Sequence, residues 1–194
     1  MGRTTDMAMI ADLRKELERE AEEENIPILR RAERKLLLEA AADPKKILEV
    51  GTAIGYSALL LAEHFPLAEI DTIEIDALRN ERAVSVMQAA GFEQRVRCHL
   101  GDAGEVLSTL AGPYDFVYLD GPKGQYLRHL KLIEPKLSEN AVIAADNVLF
   151  RGLNPRRIGT GRLSHACGNT SNMWRLIMIR SSMKRETVLR CQVR

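Results

Sequence analysis

Cysteine is scarce and carries no motif. Cys98, Cys167 and Cys191 are an odd number, and no C-x-x-C spacing occurs. A disulfide framework and a zinc–thiolate centre are therefore excluded as organising features. No apolar run approaches the ~18 residues that a membrane-spanning helix requires. The opening stretch MGRTTDMAMIADLRKELERE turns charged before any signal-peptide apolar core develops, which points away from export. The expectation is a reduced, cytoplasmic protein with no membrane partner. Internal repeats and low-complexity segments are also missing. His64, His99, His129 and His165 share no spacing that makes a metal or catalytic set.

What is present is the composition of one soluble domain. The 194 residues are 45% hydrophobic and 28% charged, too apolar for disorder. A chain of this length buries roughly 70% of its unfolded surface. The net charge of +1 hides an asymmetry. Residues 1–150 carry 18 Lys/Arg against 26 Asp/Glu, net −8, whereas residues 151–194 carry 10 against Glu186 alone, net +9. A basic tail suits a polyanionic partner, because neutralised phosphates release counterions; it also suits a merely solvated segment. The acidic run Glu16–Glu24 reads as the wet face of a helix.

Apolar positions Ile10, Leu13, Leu17 and Ala21 recur at three- and four-residue spacing, predicting an amphipathic helix over Met7–Glu24. A second helix is expected from Leu29 to Ala42, ending before Pro44. The rhythm then changes to short apolar segments at Lys46–Val50, Ile70–Ile75, Val96–Leu100, Phe116–Leu119 and Ala141–Ala145. Helical stretches lie between them at Ser57–His64, Leu78–Ala90, Ala103–Leu110 and Gln125–Leu137. This alternation predicts a doubly wound α/β fold with a mainly parallel sheet buried on both faces. The organisation is a helical lead (1–44), an α/β core (45–152) and a basic tail (153–194) within one domain. Arg175–Ile179 and Thr187–Leu189 read as final strands or as a short helix.

Two constellations carry chemistry. The first is Glu49-Val50-Gly51-Thr52-Ala53-Ile54-Gly55-Tyr56-Ser57, a glycine turn that closes the first strand and opens a helix. Such a turn brings backbone close to a ligand at free N–H groups. Glu74, ending the second strand, is placed to accept hydrogen bonds from both ribose hydroxyls of a nucleoside. A dinucleotide fingerprint wants glycine where this chain has Ala53 and Tyr56, which disfavours NAD. Glu49 suits an ammonium group better than a pyrophosphate. Gly101-Asp102-Ala103 adds a carboxylate and backbone amides for an adenine amino group. S-adenosylmethionine, cationic and without phosphate, fits this set.

The second constellation is Asp120 after strand four with Asp146-Asn147 after strand five. Two carboxylates and an amide oxygen, without sulfur or imidazole, suit a hard cation such as Mg²⁺. Lys123, three residues beyond Asp120, reaches the same crevice as a proton acceptor.

With these residues in view, the chain resembles the cation-dependent O-methyltransferase family of catechol and caffeoyl-CoA type. The matching segments are LEVGTAIGYSALLLAE, IEID, GDAGEVL, YDFVYLDGPKGQY and AVIAADNVLFRG, across roughly residues 25–152. Within it, Lys123-Gly124-Gln125-Tyr126, Asn147-Val148-Leu149-Phe150 and Ile26-Pro27-Ile28 are most similar to the bacterial branch that methylates 5-hydroxyuridine in tRNA. The resemblance implies a class I methyltransferase (Rossmann-like) fold, S-adenosylmethionine and Mg²⁺. It carries metal binding onto Asp120, Asp146 and Asn147. Cofactor contact carries onto Pro27, Glu49, Gly51, Ser57, Glu74, Asp102 and Asp120. The expected acceptor is tRNA, with a small catechol-like substrate as the alternative; a remnant that binds cofactor without catalysis is a third reading. Residues 153–194 lack the family's Pro-x-Gly-Asp-Gly turn, which leaves open the antiparallel sheet edge and the homodimer that the resemblance implies. A divergent tail and a changed reading frame near Gly152 both account for that departure.

Overall fold

The computed structural model describes residues 2–146, 174–179 and 187–191. Two helices lead: α1 (Gly2–Glu23) and α2 (Arg31–Ala41). The alternating core follows as β1 (Lys46–Val50), α3 (Tyr56–His64), β2 (Glu69–Glu74), α4 (Ala77–Ala89), β3 (Val96–Leu100), α5 (Ala103–Thr109), β4 (Tyr114–Leu119), α6 (Tyr126–Ile133) and β5 (Leu137–Asp146). Strands β6 (Trp174–Ile179) and β7 (Thr187–Cys191) complete the described residues. The sheet order is β3-β2-β1-β4-β5-β6-β7. All neighbours pair in parallel except β6 with β7.

Alternation along the buried strands produces two cores. Ile47, Ile70, Phe116, Tyr118 and Ala144 pack with α1 to α4 on one face. Leu48, Val50, Ile73, Val117, Leu119, Ile143 and Ala145 pack with α5 and α6 on the other. Successive residues point to opposite faces, so a strand covered on both sides buries apolar residues on each, as Ile47 does on one face of β1 and Leu48 and Val50 on the other. The lead helices belong to the same body: Ile10, Leu17 and Leu37 share the first core with α3.

The boundaries of β1 and β3 coincide with those read from the sequence. Three readings are corrected. The stretch Gln125–Leu137 is not one helix. Lys123–Gln125 and Glu134–Lys136 are 3₁₀ turns flanking α6, and Leu137 already belongs to β5. Pro135, at the start of the second turn, cannot donate to the helical ladder. The strand expected over Ala141–Ala145 begins four residues earlier, where a register shift against Tyr114/Phe116 and a left-handed Asn140 (φ 64°) absorb the extra length. The acidic run is not simply a wet face either. Glu16 and Glu20 grip Arg82 of α4, at 2.8 Å and 2.7 Å, and Glu18 takes Arg34 at 2.9 Å and the Tyr56 hydroxyl at 2.8 Å. These carboxylates dock α1 onto α2, α3 and α4. Of the two readings of the tail, the strands are realised.

Candidate active site

β1 and β4 are neighbours, and the chain winds away from them in opposite directions, to β2 and β3 on one side and to β5 on the other. At such a switch point an open sheet leaves a crevice beyond the carboxyl ends of its strands. A cleft of about 480 Å³ opens there, large enough for a small cofactor. Pro27–Arg30, between the two lead helices, form one wall. The ends of β1, β2, β3 and β4 form the floor, and Gln125 and His129 close the far side.

The glycine turn is shaped by a close approach. Gly51 has φ +101°, and a Cβ there would lie 2.8 Å from the Asp120 carbonyl oxygen. The peptide after β1 thus passes against the peptide after β4, with Asp120 N–H donating to the Val50 carbonyl at 2.9 Å. Only glycine permits both the conformation and the contact.

Glu74 is fixed by backbone donors on both oxygens. Its Oε1 accepts from the N–H groups of Ile75 (2.9 Å) and Asp76 (3.0 Å), and its Oε2 accepts from Ala53 N–H at 2.7 Å. The same carboxylate lines the cleft. It therefore ties the glycine turn to β2 while offering remaining lone pairs to a ligand.

Glu49 and Ser57 do not line the cleft. Both are buried, Glu49 completely. Glu49 stands in register with Thr72 of β2, whose hydroxyl donates to Oε2 at 2.5 Å. Its Oε1 makes no hydrogen bond of normal geometry, although Ser57 is close enough to favour the ionised form. Burial dominates and pushes the carboxyl up to about 7. Glu49 is thus a carboxyl poised between charge states under the glycine turn.

Asp102 and Ala103 line the cleft beside Gly101. Asp102 caps α5, its Oδ1 accepting from Gly104 N–H at 2.9 Å and Glu105 N–H at 3.3 Å. Pro27 and Asp120 face the same space. Asp120 Oδ2 accepts from the Tyr118 hydroxyl at 3.3 Å. Asp146 is the last residue of β5, one position beyond the Leu119↔Ala145 pair, as Asp120 is one beyond Leu119 on β4. The two acids leave adjacent strands at the same level, where neighbouring strands lie ≈ 4.8 Å apart. Lys123 opens the 3₁₀ turn between the cleft-lining Pro122 and Gln125. Asn147 lies outside the described residues. Among the described residues, no group of three or more His, Cys, Asp or Glu gathers to hold a metal.

Three lining residues have no sequence signal of their own. Ile75 is 67% exposed at the end of β2, an apolar platform on the cleft wall. Arg79 lines the cleft from the first turn of α4. His129 of α6 is fully buried yet borders the cavity. No spacing rule brings these three together, because each arrives from a different helix or strand end.

The pattern of the O-methyltransferase family matches residues 3–157. The chain belongs to that family. It is 34% identical over 118 residues to a catechol O-methyltransferase of Mycobacterium tuberculosis, covering 60% of this chain and 54% of that protein. To a caffeoyl-CoA O-methyltransferase of Stellaria longipes it is 33% identical over 117 residues, covering 56% and 48%. A Podospora anserina methyltransferase solved with S-adenosylhomocysteine (SAH) bound superimposes with a TM-score of 0.65 at 30% identity, over 75% of this chain and 64% of that one. The match spans about half the length of the curated relatives. No helix among the described residues is long and apolar enough to cross a membrane.

Proposed function

We propose that this chain transfers a methyl group from S-adenosylmethionine to a hydroxyl flanked by a second oxygen, with a hard divalent cation holding both oxygens. The carrying observation is the arrangement of Glu74, the Gly51 turn and Asp120 around one cleft. Glu74, fixed by three backbone N–H groups, is fitted to hold the two ribose hydroxyls. From there the cleft runs toward Gly101–Ala103, which suits the adenine, and toward Gly51 and Asp120, which suit the amino acid end. The buried, half-satisfied Glu49 also fits a cationic ligand above it, since a positive charge at the turn favours its ionised form.

The cation would be held by Asp120, Asp146 and Asn147; the two acids leave adjacent strands at one level, and the donors are all hard oxygens. When bound, the cofactor supplies an electrophilic methyl on a sulfonium, and the cation supplies Lewis-acid binding of adjacent oxygens. Lys123 Nζ takes the proton that the acceptor hydroxyl gives up. Pro27 and its neighbours between the lead helices close the cleft against water.

The acceptor we favour is 5-hydroxyuridine in tRNA, whose 5-hydroxyl and O4 are neighbours. The supporting observation is the net charge of +9 on residues 151–194, fitted to a polyanion. A catechol is the second reading, favoured by the names of the relatives. With methyl-labelled cofactor, the expected result is label in tRNA that carries 5-hydroxyuridine, falling steeply as salt rises. EDTA should lower the rate about 100-fold or more, with recovery on adding Mg²⁺. Labelling of catechol alone moves the assignment to the second reading; labelling unaffected by EDTA removes the cation from the account.

A further inference from the structure

The acidic side chains around the cleft are not equally available to a ligand. Glu49, expected beside an ammonium group, is sealed beneath the glycine turn: it does not line the cleft, and its unpaired Oε1 is occluded. Glu74 ends β2 and Asp102 follows β3, toward the ribose and the base. Glu33 is placed differently. It lines the cleft from the first turn of α2, and it is only 7% exposed. Its Oε2 accepts from the Arg30 N–H at 2.9 Å, which helps to start the helix. Its Oε1 accepts no hydrogen bond from any described residue, yet it is not an occluded atom. That oxygen is open to the cleft.

Position decides which ligand group this oxygen meets. α2 packs against β5 and β6, which lie beyond β4 on the side away from β3. Glu33 and Pro27–Arg30 therefore wall the β4 side of the cleft, opposite Gly101–Ala103. The amino acid end of the proposed cofactor belongs on that side, beside Gly51 and Asp120. An acidic side chain this buried ordinarily has a cationic partner or several donors. The Arg34 guanidinium one residue away is engaged elsewhere, with Glu18 at 2.9 Å. A ligand ammonium group supplies both the charge and the missing donor.

We infer that Glu33 is a specificity-determining residue for the cofactor's amino acid end, its open Oε1 accepting a hydrogen bond from the α-ammonium group. This rests on the proposed binding of S-adenosylmethionine. One carboxyl group then does two things: Oε2 caps α2 and Oε1 takes the ligand. The lead helices, and not the sheet alone, read the cofactor.

The test is a cycle between one side chain and one ligand group. The probes are SAH and its desamino analogue, in which hydrogen replaces the α-amino group. Titrated into the full chain, wild type should bind SAH about 10-fold tighter than the analogue. Glu33→Gln keeps an oxygen for the Arg30 N–H, so its ligand-free melting temperature should stay near that of wild type. It turns an amide NH₂ toward the ammonium group, so it should lose about 10-fold for SAH and little for the analogue. Glu33→Ala should lose the same preference and also melt lower, because the cap goes with the acid; it carries the test should the glutamine variant fail to fold. An unchanged preference in Glu33→Gln overturns the inference, as do equal losses for both ligands or a wild type that does not distinguish them. Wild type that binds neither overturns the proposed function instead.

Discussion

Gly51→Ala should weaken SAH binding by at least an order of magnitude and lower stability by about 2–4 kcal/mol. Two costs combine. A side chain at φ +101° is strained by roughly 1–3 kcal/mol. The new Cβ would also sit 2.8 Å from the Asp120 carbonyl oxygen and 3.1 Å from Gly121 N. Those are backbone atoms at the end of a central strand, and they cannot rotate away as a side chain would. Overpacking of this kind typically costs 1–3 kcal/mol. Relief requires the turn after β1 to separate from the turn after β4, which widens the cleft floor. Denaturant unfolding and calorimetry with SAH measure the two effects. A variant as stable and as tight-binding as wild type would show that the close approach is not what shapes the site.

Glu49→Gln should change how stability depends on pH. Its carboxyl is displaced upward from 4.5 to about 7 by burial, so between those values the folded state holds a proton that the unfolded state has lost. Stability from this group is then present at low pH and declines as pH rises through 4.5 to 7. Charging it inside the fold costs up to about 3 kcal/mol. Glutamine has no charge to acquire, although its amide finds only the Thr72 hydroxyl as an assured partner. The expected result is therefore a slope: the difference between variant and wild type shifts in favour of the variant by about 2–3 kcal/mol from pH 5 to pH 8. Parallel curves across that range would mean that Glu49 keeps its charge when folded.

Much of this fold can be read from its sequence because the parallel sheet is covered on both sides. KILEV and VRCHL are short segments bounded by turn residues, and their limits match β1 and β3. The site is legible where a residue ends a strand, as Glu74, Asp102 and Asp120 do. It is not legible where the answer depends on which face a side chain takes. Glu49 ends in the α3-side core rather than the cleft, since it follows Ile47 on that face and meets Thr72 across the strand pair. Pairings between distant segments are equally hidden. Glu16 and Glu20 meet Arg82 across more than sixty residues, and helical periodicity says only that their positions are polar. His129 reaches the cleft because α6 packs beside α5, a fact of crossover geometry rather than of spacing.

The most direct measurement of the central claim is a titration of the full chain with SAH, run on wild type and Glu74→Ala. A nucleoside site at the strand ends predicts one SAH per chain, displaced by S-adenosylmethionine, and weakened about 100-fold when the Glu74 carboxylate is removed. Wild type that takes up no SAH, or Glu74→Ala that binds it as tightly as wild type, would contradict it.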